Sequence, residues 1–279
     1  MTITEQFLKA KKENLASQLT IKNYGIDLKQ LLPRLFNKKE EEITIDDLKS
    51  ITTLKLRDTL EQLRKENNYT VTTINRRLAS FKALMSYYSR LYGFPNTVHE
   101  MKAFNDTRLH EIEFIPNDDV KRVVEKAKLH STKMYLIMGL LFNTGLRSAE
   151  LLSLKRENVH EDCIIVEGKG GKMRRVDLNQ TAKDCLTLYL KENPQTQGIL
   201  LPMRYETLRR QYASFLKKCN IDCSRVHTAR KSFATNLIQK GGIDVIPDVS
   251  KLLGHSDIST VQKHYLGSST RSLTVNLLN

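Results

Sequence analysis

Six side chains in the C-terminal half of the sequence could together cleave a phosphodiester bond. They are two arginines, two histidines, a lysine and a tyrosine: Arg147, Lys169, His227, Arg230, His255 and Tyr265. Without a metal, this cleavage requires cations on the non-bridging oxygens, a proton donor for the leaving oxygen and a nucleophile held in line. The set contains a residue type suited to each of these tasks.

Five of these six residues also have an ordinary structural explanation when they are taken alone. Arg147 lies in an apolar stretch, where a guanidinium requires an anionic partner, and Glu150 could be that partner. His227 and Arg230 share one face at a predicted helix start, a spacing that surface helices of basic proteins also show. His255 follows a glycine that would end a helix, and a tyrosine near a chain end commonly packs against a neighbouring helix. Only the whole set indicates the chemistry.

The elements that must position this set are helices and one β-hairpin. Apolar spacing predicts helices at about 117–129, 131–143, 180–193, 204–219, 228–240, 245–253 and 258–266. The segment CIIVEGKGGKMRRVDL contains two β-rich runs separated by Gly170 and Gly171, which predicts a hairpin because both positions tolerate positive φ. Lys169 and Lys172 therefore flank the predicted turn.

The first hundred residues are predicted to form a small helical bundle. Apolar residues at helical spacing predict helices over residues 3–16, 20–33, 46–66 and 70–92. Thr20 and Thr70 are the predicted N-caps, and Gly93 and Pro95 close the fourth helix. We therefore expect a mainly α protein with a small β-sheet, with the following domains: a helical domain at 1–95, a linker at 96–113 and a catalytic domain with a C-terminal tail at 114–279.

Length and composition favour a soluble protein of two domains. The chain has 279 residues, 40% of them apolar and 27% charged, and no apolar run approaches the roughly 18 to 20 residues of a membrane span. The N-terminus has early charges and no apolar leader segment, so we expect a cytoplasmic protein. Four scattered cysteines, at positions 163, 185, 219 and 223, are expected to be reduced and buried and to form no metal site.

Both halves of the chain are basic. The net charge is +14, and the first 98 residues, with 17 basic and 11 acidic side chains, contribute +6 of it. A positive charge spread over two domains favours a polyanion that contacts both, and nucleic acid is the leading candidate because phosphate neutralisation releases counterions. Binding to a membrane surface and simple solubility are the alternatives.

Four segments, in chain order, resemble the boxes of the tyrosine recombinase family (phage integrase, Xer-like). They are TGLRSAELLSL, GKGGKMRRV, HTARKSFATNL and LLGHSDISTVQKHY. This resemblance covers about residues 114–266. The N-terminal bundle, which contains TINRRLASFKALMSYY, is similar in character to the SAM-like core-binding domain of that family. The two domains would then clamp a DNA duplex from opposite sides.

The resemblance implies a role for each residue of the set. Arg147 and Arg230 would hold the scissile phosphate, and His227 and His255 would add hydrogen bonds or acid–base help. Lys169 would protonate the 5′-oxygen that leaves. Tyr265 would attack to give a 3′-phosphotyrosyl link, and reversal by another strand would complete the exchange. Neither a metal nor another cofactor is implied.

The resemblance also implies contacts to duplex DNA and an assembly. The expected DNA-binding residues are basic side chains of both domains: Arg76, Arg77, Lys82, Lys172, Arg174, Arg175 and Lys231. The partner is double-stranded DNA at a specific recombination site. The tail LGSSTRSLTVNLLN would dock on a neighbouring protomer in a homotetramer on DNA; the alternative is a tail folded back on its own domain.

The sequence departs from the family pattern at two positions. The tyrosine commonly lies nine positions after the second box histidine, which here is His264 rather than Tyr265. We assign the nucleophile to Tyr265 because no other tyrosine follows residue 212 and because a phosphohistidine is a labile link. Lys231 occupies a position where many relatives carry histidine. Two rival functions share these features: a DNA-binding architectural protein without cleavage activity, and a relaxing topoisomerase that acts as a monomer.

Overall fold

The structure of the chain is a computed structural model that describes residues 1–14, 17–105, 113–168 and 171–254. It divides into two compact units, Met1–Arg108 and Leu109–Asn279. The predicted class, mainly α with a small sheet, is confirmed.

The first unit is a helical bundle whose core is formed by apolar residues from each long helix. Its helices are α1 (Ile3–Glu13), α2 (Gln18–Phe36), α3 (Ile45–Lys49), α4 (Thr53–Glu66) and α5 (Val71–Tyr92), with a 3-10 turn at Glu40–Glu42. Phe7, Leu31, Leu60 and Phe81 are fully buried at its centre. The Tyr88 hydroxyl donates to a backbone carbonyl of α1 at 2.8 Å, which joins the last helix to the first.

The helix ends of this unit confirm some of the expected caps and correct others. Thr70 caps α5, and Gly93, with φ 68°, ends it. The cap of α2 is Ser17 and not Thr20, because the Ser17 hydroxyl accepts from the Thr20 amide at 3.1 Å. The single helix expected over 46–66 is two helices, since Thr52 is extended and its side chain caps α4.

The start of the expected linker packs on the first unit. Val98 and Met101 are buried in its core. Asn75 of α5 exchanges two hydrogen bonds with the backbone of Phe104, at 2.9 and 2.8 Å. Lys82 of α5 donates to two backbone carbonyls of the segment, including that of Met101. The segment therefore runs back along α5, and the first unit extends beyond the predicted boundary at residue 95.

Limited proteolysis is expected to separate the units by cutting between residues 105 and 114. Backbone that is buried and hydrogen-bonded along α5 resists cleavage, so residues 94–104 should be protected. Mass spectrometry of the first stable fragments checks this expectation. First cuts within 94–104, or within the helices of the first unit, would contradict this boundary.

The second unit surrounds an apolar helix, α7. Its elements are α6 (Asn117–His130), α7 (Thr132–Thr144), α8 (Ser148–Ser153), β1 (Cys163–Glu167), β2 (Met173–Asp177), α9 (Gln180–Glu192), α10 (Tyr205–Lys218), α11 (His227–Gly241) and α12 (Ile246–Leu253), with 3-10 turns at Arg156–Asn158 and Ile243–Val245. Ten of the 13 residues of α7 are buried, as a helix that is apolar on all sides requires. It packs against α6, α9 and α11.

The predicted hairpin is the one sheet of the described residues. Strands β1 and β2 pair antiparallel, with Ile164 opposite Val176 and Val166 opposite Arg174. Ile164, Val166 and Val176 are buried in the core of the second unit. The helix expected at 258–266 lies outside the described residues.

The cysteines are free and buried, as expected. Among the described residues, no cluster of His, Cys, Asp or Glu is arranged to hold a metal ion. No helix in the described part of the chain has both the length and the apolar character needed to cross a membrane.

Candidate active site

The candidate site forms where the ends of α7 and α12 approach the start of α8 and one side of α11. Gly145 ends α7 in the left-handed region, with φ 63°. A Cβ at this position would lie 2.6 Å from Phe233 of α11 and 2.8 Å from Leu253 of α12, so a larger residue would push these elements apart. Two residues later, Arg147 is the N-cap of α8.

Glu150 of α8 accepts hydrogen bonds from two arginines and lies near a third. It is 3% exposed. Its carboxylate accepts from the side chain of Arg147 at 2.8 Å and from that of Arg174 at 2.9 Å, while Arg230 lies 4.0 Å away. The backbone N–H of Arg147 donates to it as well, at 2.8 Å. The predicted pairing of Arg147 with Glu150 is confirmed, but the carboxylate has two further cationic neighbours that the spacing did not indicate.

The charges of this arginine cluster (Arg147, Glu150, Arg174 and Arg230) add up to +2. Burial by itself raises the pKa of Glu150, but the hydrogen bonds from Arg174 and Arg147 outweigh it, so the pKa is lowered. Burial lowers the pKa of Arg230, and the charges of Arg147 and Arg174 lower it further, against the opposing effect of Glu150. An anion bound at the cluster would therefore stabilise the charged form of Arg230.

The same three arginines also donate to the C-terminal end of α12. The bonds run from Arg174 to the carbonyl of Leu252 at 2.7 Å, from Arg230 to that of Leu253, and from Arg147 to that of Gly254 at 3.5 Å. The last carbonyls of a helix have no partner within the helix and carry the negative end of its dipole, so cations stabilise them. The cluster thereby fixes the end of α12, directly before His255 in the chain.

Of the remaining four catalytic candidates, the structure describes only His227. His227 is the first residue of α11 and is exposed, one turn before Arg230 on the same helix. The predicted helix start at this histidine is thus confirmed. Lys169, His255 and Tyr265 lie outside the described residues.

Four DNA-binding residues are expected in the second unit. The side chains of three of them are at least partly exposed to solvent and lie outside the arginine cluster. Lys172 is exposed, and the side chain of Arg175 is 62% exposed although it pairs with Asp177 at 2.7 Å. Lys231 is half-buried on α11. Arg174 differs from these, since its side chain is 14% exposed and bonded to Glu150.

The basic residues of α5 that are expected to bind DNA all have partners within the first unit. Arg76 keeps a 40% exposed side chain while it pairs with Asp27 at 2.9 Å. Arg77 is 2% exposed and lies 3.9 Å above the ring of Tyr69, and Asp27 already faces its charge. Arg77 thus takes part in the packing of the bundle, and its expected DNA contact stays a prediction. Lys82 likewise binds backbone carbonyls of the segment after α5 and serves to hold that segment.

Comparison with protein families gives matches for both units. Residues 113–271 match the family described as "Phage integrase family", and residues 5–90 match "Phage integrase, N-terminal SAM-like domain".

Curated relatives match along most of this chain. Tyrosine recombinase XerC of Caldanaerobacter subterraneus subsp. tengcongensis is 27% identical, over 93% of this chain and 81% of its own length. Tyrosine recombinase XerA of Saccharolobus solfataricus is 31% identical, over 87% of this chain and 80% of its own.

Solved structures share the fold. The crystal structure of XerA recombinase is 25% identical, with a TM-score of 0.51 over 94% of this chain and 92% of that one. XerH site-specific recombinase, in its post-cleavage complex with palindromic difH substrate, is 19% identical and superposes with a TM-score of 0.73 over 98% of this chain and 84% of that one. At that identity the second likeness concerns the fold alone.

Proposed function

The chain belongs to the phage integrase family, and from that premise we propose that it is a tyrosine-type site-specific recombinase, an enzyme that cuts and rejoins strands of double-stranded DNA. The observation that carries the proposal is the arginine cluster, which holds a net charge of +2 around one buried carboxylate. A phosphodiester in transfer is an anion whose charge grows on its non-bridging oxygens, which fixed guanidinium groups stabilise. The reactions that follow are integration, excision or resolution of DNA, and we place them in the cytoplasm.

Arg147 and Arg230 bind the scissile phosphate in this proposal. The side chain of Arg147 is 33% exposed, so a phosphate can reach it from solvent, whereas Arg230 is 3% exposed. The bond of Arg147 to Glu150 and the bonds of Arg230 to the carbonyls of Gly145 and Leu253 fix both guanidinium groups before the substrate arrives. His227, exposed one turn before Arg230, and His255 add hydrogen bonds or proton transfer at the same phosphate.

The chemical step exchanges one oxygen–phosphorus bond for another. The phenolic oxygen of Tyr265 attacks phosphorus and gives up its proton to a histidine of the set, His227 or His255. The bond from phosphorus to the 5′-oxygen breaks, and Lys169 gives that oxygen a proton. The products are a 3′-phosphotyrosyl link and a free 5′-hydroxyl. A 5′-hydroxyl from another strand then reverses the step, and because the link retains the bond energy, the exchange requires no ATP.

Replacing Lys169 with alanine is expected to slow cleavage by about 10²–10⁴-fold, the usual contribution of a general acid. A substrate with sulfur in the 5′-bridging position should recover most of this loss, because a thiolate leaves without a proton. Single-turnover cleavage of a nicked suicide duplex measures both values. Lys172→Ala is the matched control, and a larger rescuable defect at Lys172 would reverse the assignment.

We also propose that four protomers assemble on DNA by exchanging their C-terminal tails. The support is the sequence of the tail, where Leu273, Val275, Leu277 and Leu278 supply apolar side chains to a partner.

Deleting residues 270–279 should therefore weaken pairing of two DNA sites more than binding to one site. Native gels with one-site and two-site complexes separate the two effects. Unchanged tetramers in the truncated protein would refute tail exchange without affecting the proposed chemistry.

A further inference from the structure

Arg174 occupies a position in β2 where the strand pattern calls for an apolar residue. Side chains alternate between the two faces of a strand, so Arg174 shares a face with Val176, which is 3% exposed. Its neighbour across the hairpin, Val166, is also buried. A guanidinium that faces inward requires hydrogen-bond partners that replace water.

Its partners come from two other elements. Nη2 donates to Oε2 of Glu150 on α8 at 2.9 Å, and Nη1 donates to the carbonyl of Leu252 at the end of α12 at 2.7 Å. A Cβ on Gly254 would lie 3.0 Å from Cδ of Arg174 and 3.3 Å from its Nε, so the arginine stem passes close over this glycine. Gly254 also has φ 63°, which other residues rarely adopt. One side chain thus fastens β2 to α8 and to α12.

Arg174 adds a polar attachment near the turn to the apolar packing of Ile164, Val166 and Val176. A two-stranded sheet is marginally stable by itself. Beyond Arg174 the final pair of the ladder is Glu167 with Met173, and both of these residues are exposed. Arg174 is therefore the last inward-facing residue of β2 before the turn segment that contains Lys169.

We propose that Arg174 is a positioning residue for the reaction and not a DNA contact. By fastening the turn end of the hairpin to Glu150 and to the C-terminal end of α12, it sets where Lys169 meets the leaving oxygen. This inference rests on the proposed function, in which Lys169 is the proton donor.

The test compares ordinary and 5′-bridging sulfur duplexes in single-turnover cleavage by the full-length protein. Arg174→Met keeps the length of the side chain and removes its donors, so cleavage of the ordinary duplex should fall by about 10²-fold, as when a general acid is misplaced. The sulfur duplex should be cleaved within a few-fold of the parent rate. Arg174→Lys, which can reach one acceptor at a time, should give a smaller and equally rescuable defect. An equal loss on both duplexes, for either variant, would overturn the proposal.

A second measurement tests whether Arg174 holds the turn of the hairpin in place, and it does not depend on the chemistry of Lys169. Digestion with a lysine-specific protease should cut the turn, after Lys169 or Lys172, faster in Arg174→Met than in the parent protein. Lys183→Met is the control, because it removes an exposed ion pair with Asp162 near the opposite end of the hairpin and should leave turn cutting unchanged. Unaltered cutting of the turn in Arg174→Met would overturn the proposal.

Running Lys169→Ala in the same assays separates the role of Lys169 as proton donor from the role of Arg174 in positioning the hairpin. If sulfur fails to rescue Lys169→Ala, the proposed proton donor is wrong, while turn cutting still decides whether Arg174 holds the hairpin.

Discussion

Arg147→Ala is expected to reduce DNA cleavage by at least about 10²–10³-fold, the cost of removing one donor to a transition-state oxyanion. Binding of the intact duplex should change little, because one phosphate contact among many is lost in the ground state, whereas the transition state depends on this contact. The two quantities are measured by covalent adduct formation on a suicide duplex and by gel shift.

Arg230 should give a comparable loss of cleavage at a higher cost in stability. Its guanidinium donates to the carbonyls of Gly145 and Leu253, and alanine would leave both buried acceptors without this donor, at about 1–3 kcal/mol each. Arg230→Lys and a thermal melt separate the catalytic effect from the structural one.

Arg122→Ala is the matched control for both variants. Arg122 is a half-exposed arginine of the same unit, paired with Asp119 on α6, away from the cluster. If DNA binding and cleavage fell together in Arg147→Ala, the arginine would be a structural residue or a general DNA contact, and the phosphate-binding role would be wrong.

Tyr265→Phe is expected to abolish the covalent adduct completely while DNA binding and assembly persist. The substitution removes the attacking oxygen and keeps the ring. Adduct formation on a suicide duplex and native gels measure the two properties. His264→Ala is the companion variant, since His264 occupies the usual family spacing, and it should still form the adduct. An adduct that persists in Tyr265→Phe and disappears in His264→Ala would reverse the assignment.

Local spacing was sufficient to predict most of the elements. The 13 residues of α7 and the hairpin around Gly171 follow from apolar periodicity and turn residues alone. Where two local signals competed, the prediction was wrong. Ser17 and Thr20 are both good caps, and the chain uses the earlier one. At Thr52 a capping side chain interrupts a pattern that otherwise reads as one continuous helix.

The arginine cluster could be predicted only in part. Arg147 and Glu150 are three residues apart, so helical geometry brings them together. Arg230 and Arg174 reach the same carboxylate from elements far away in the sequence, and such contacts depend on tertiary packing that periodicity does not encode. A usable signal existed for Arg174, because alternation along β2 places it on the face of Val176.

Charge alone does not predict the internal partners of the basic residues in the first unit. Arg77 and Lys82 are cations on a helix of a basic domain, which made them natural candidates for phosphate binding. The structure assigns them to internal partners, Asp27 with the Tyr69 ring in one case and backbone carbonyls in the other.

Mapping of the trapped protein–DNA adduct tests the proposed mechanism most directly. The full-length protein is incubated with a nicked suicide duplex, digested, and the DNA-linked peptide is sequenced by mass spectrometry. We predict an acid-stable phosphotyrosine at Tyr265 joined to the 3′ end of the cleaved strand. An acid-labile link at His264, or a bond to the 5′ end, would contradict it.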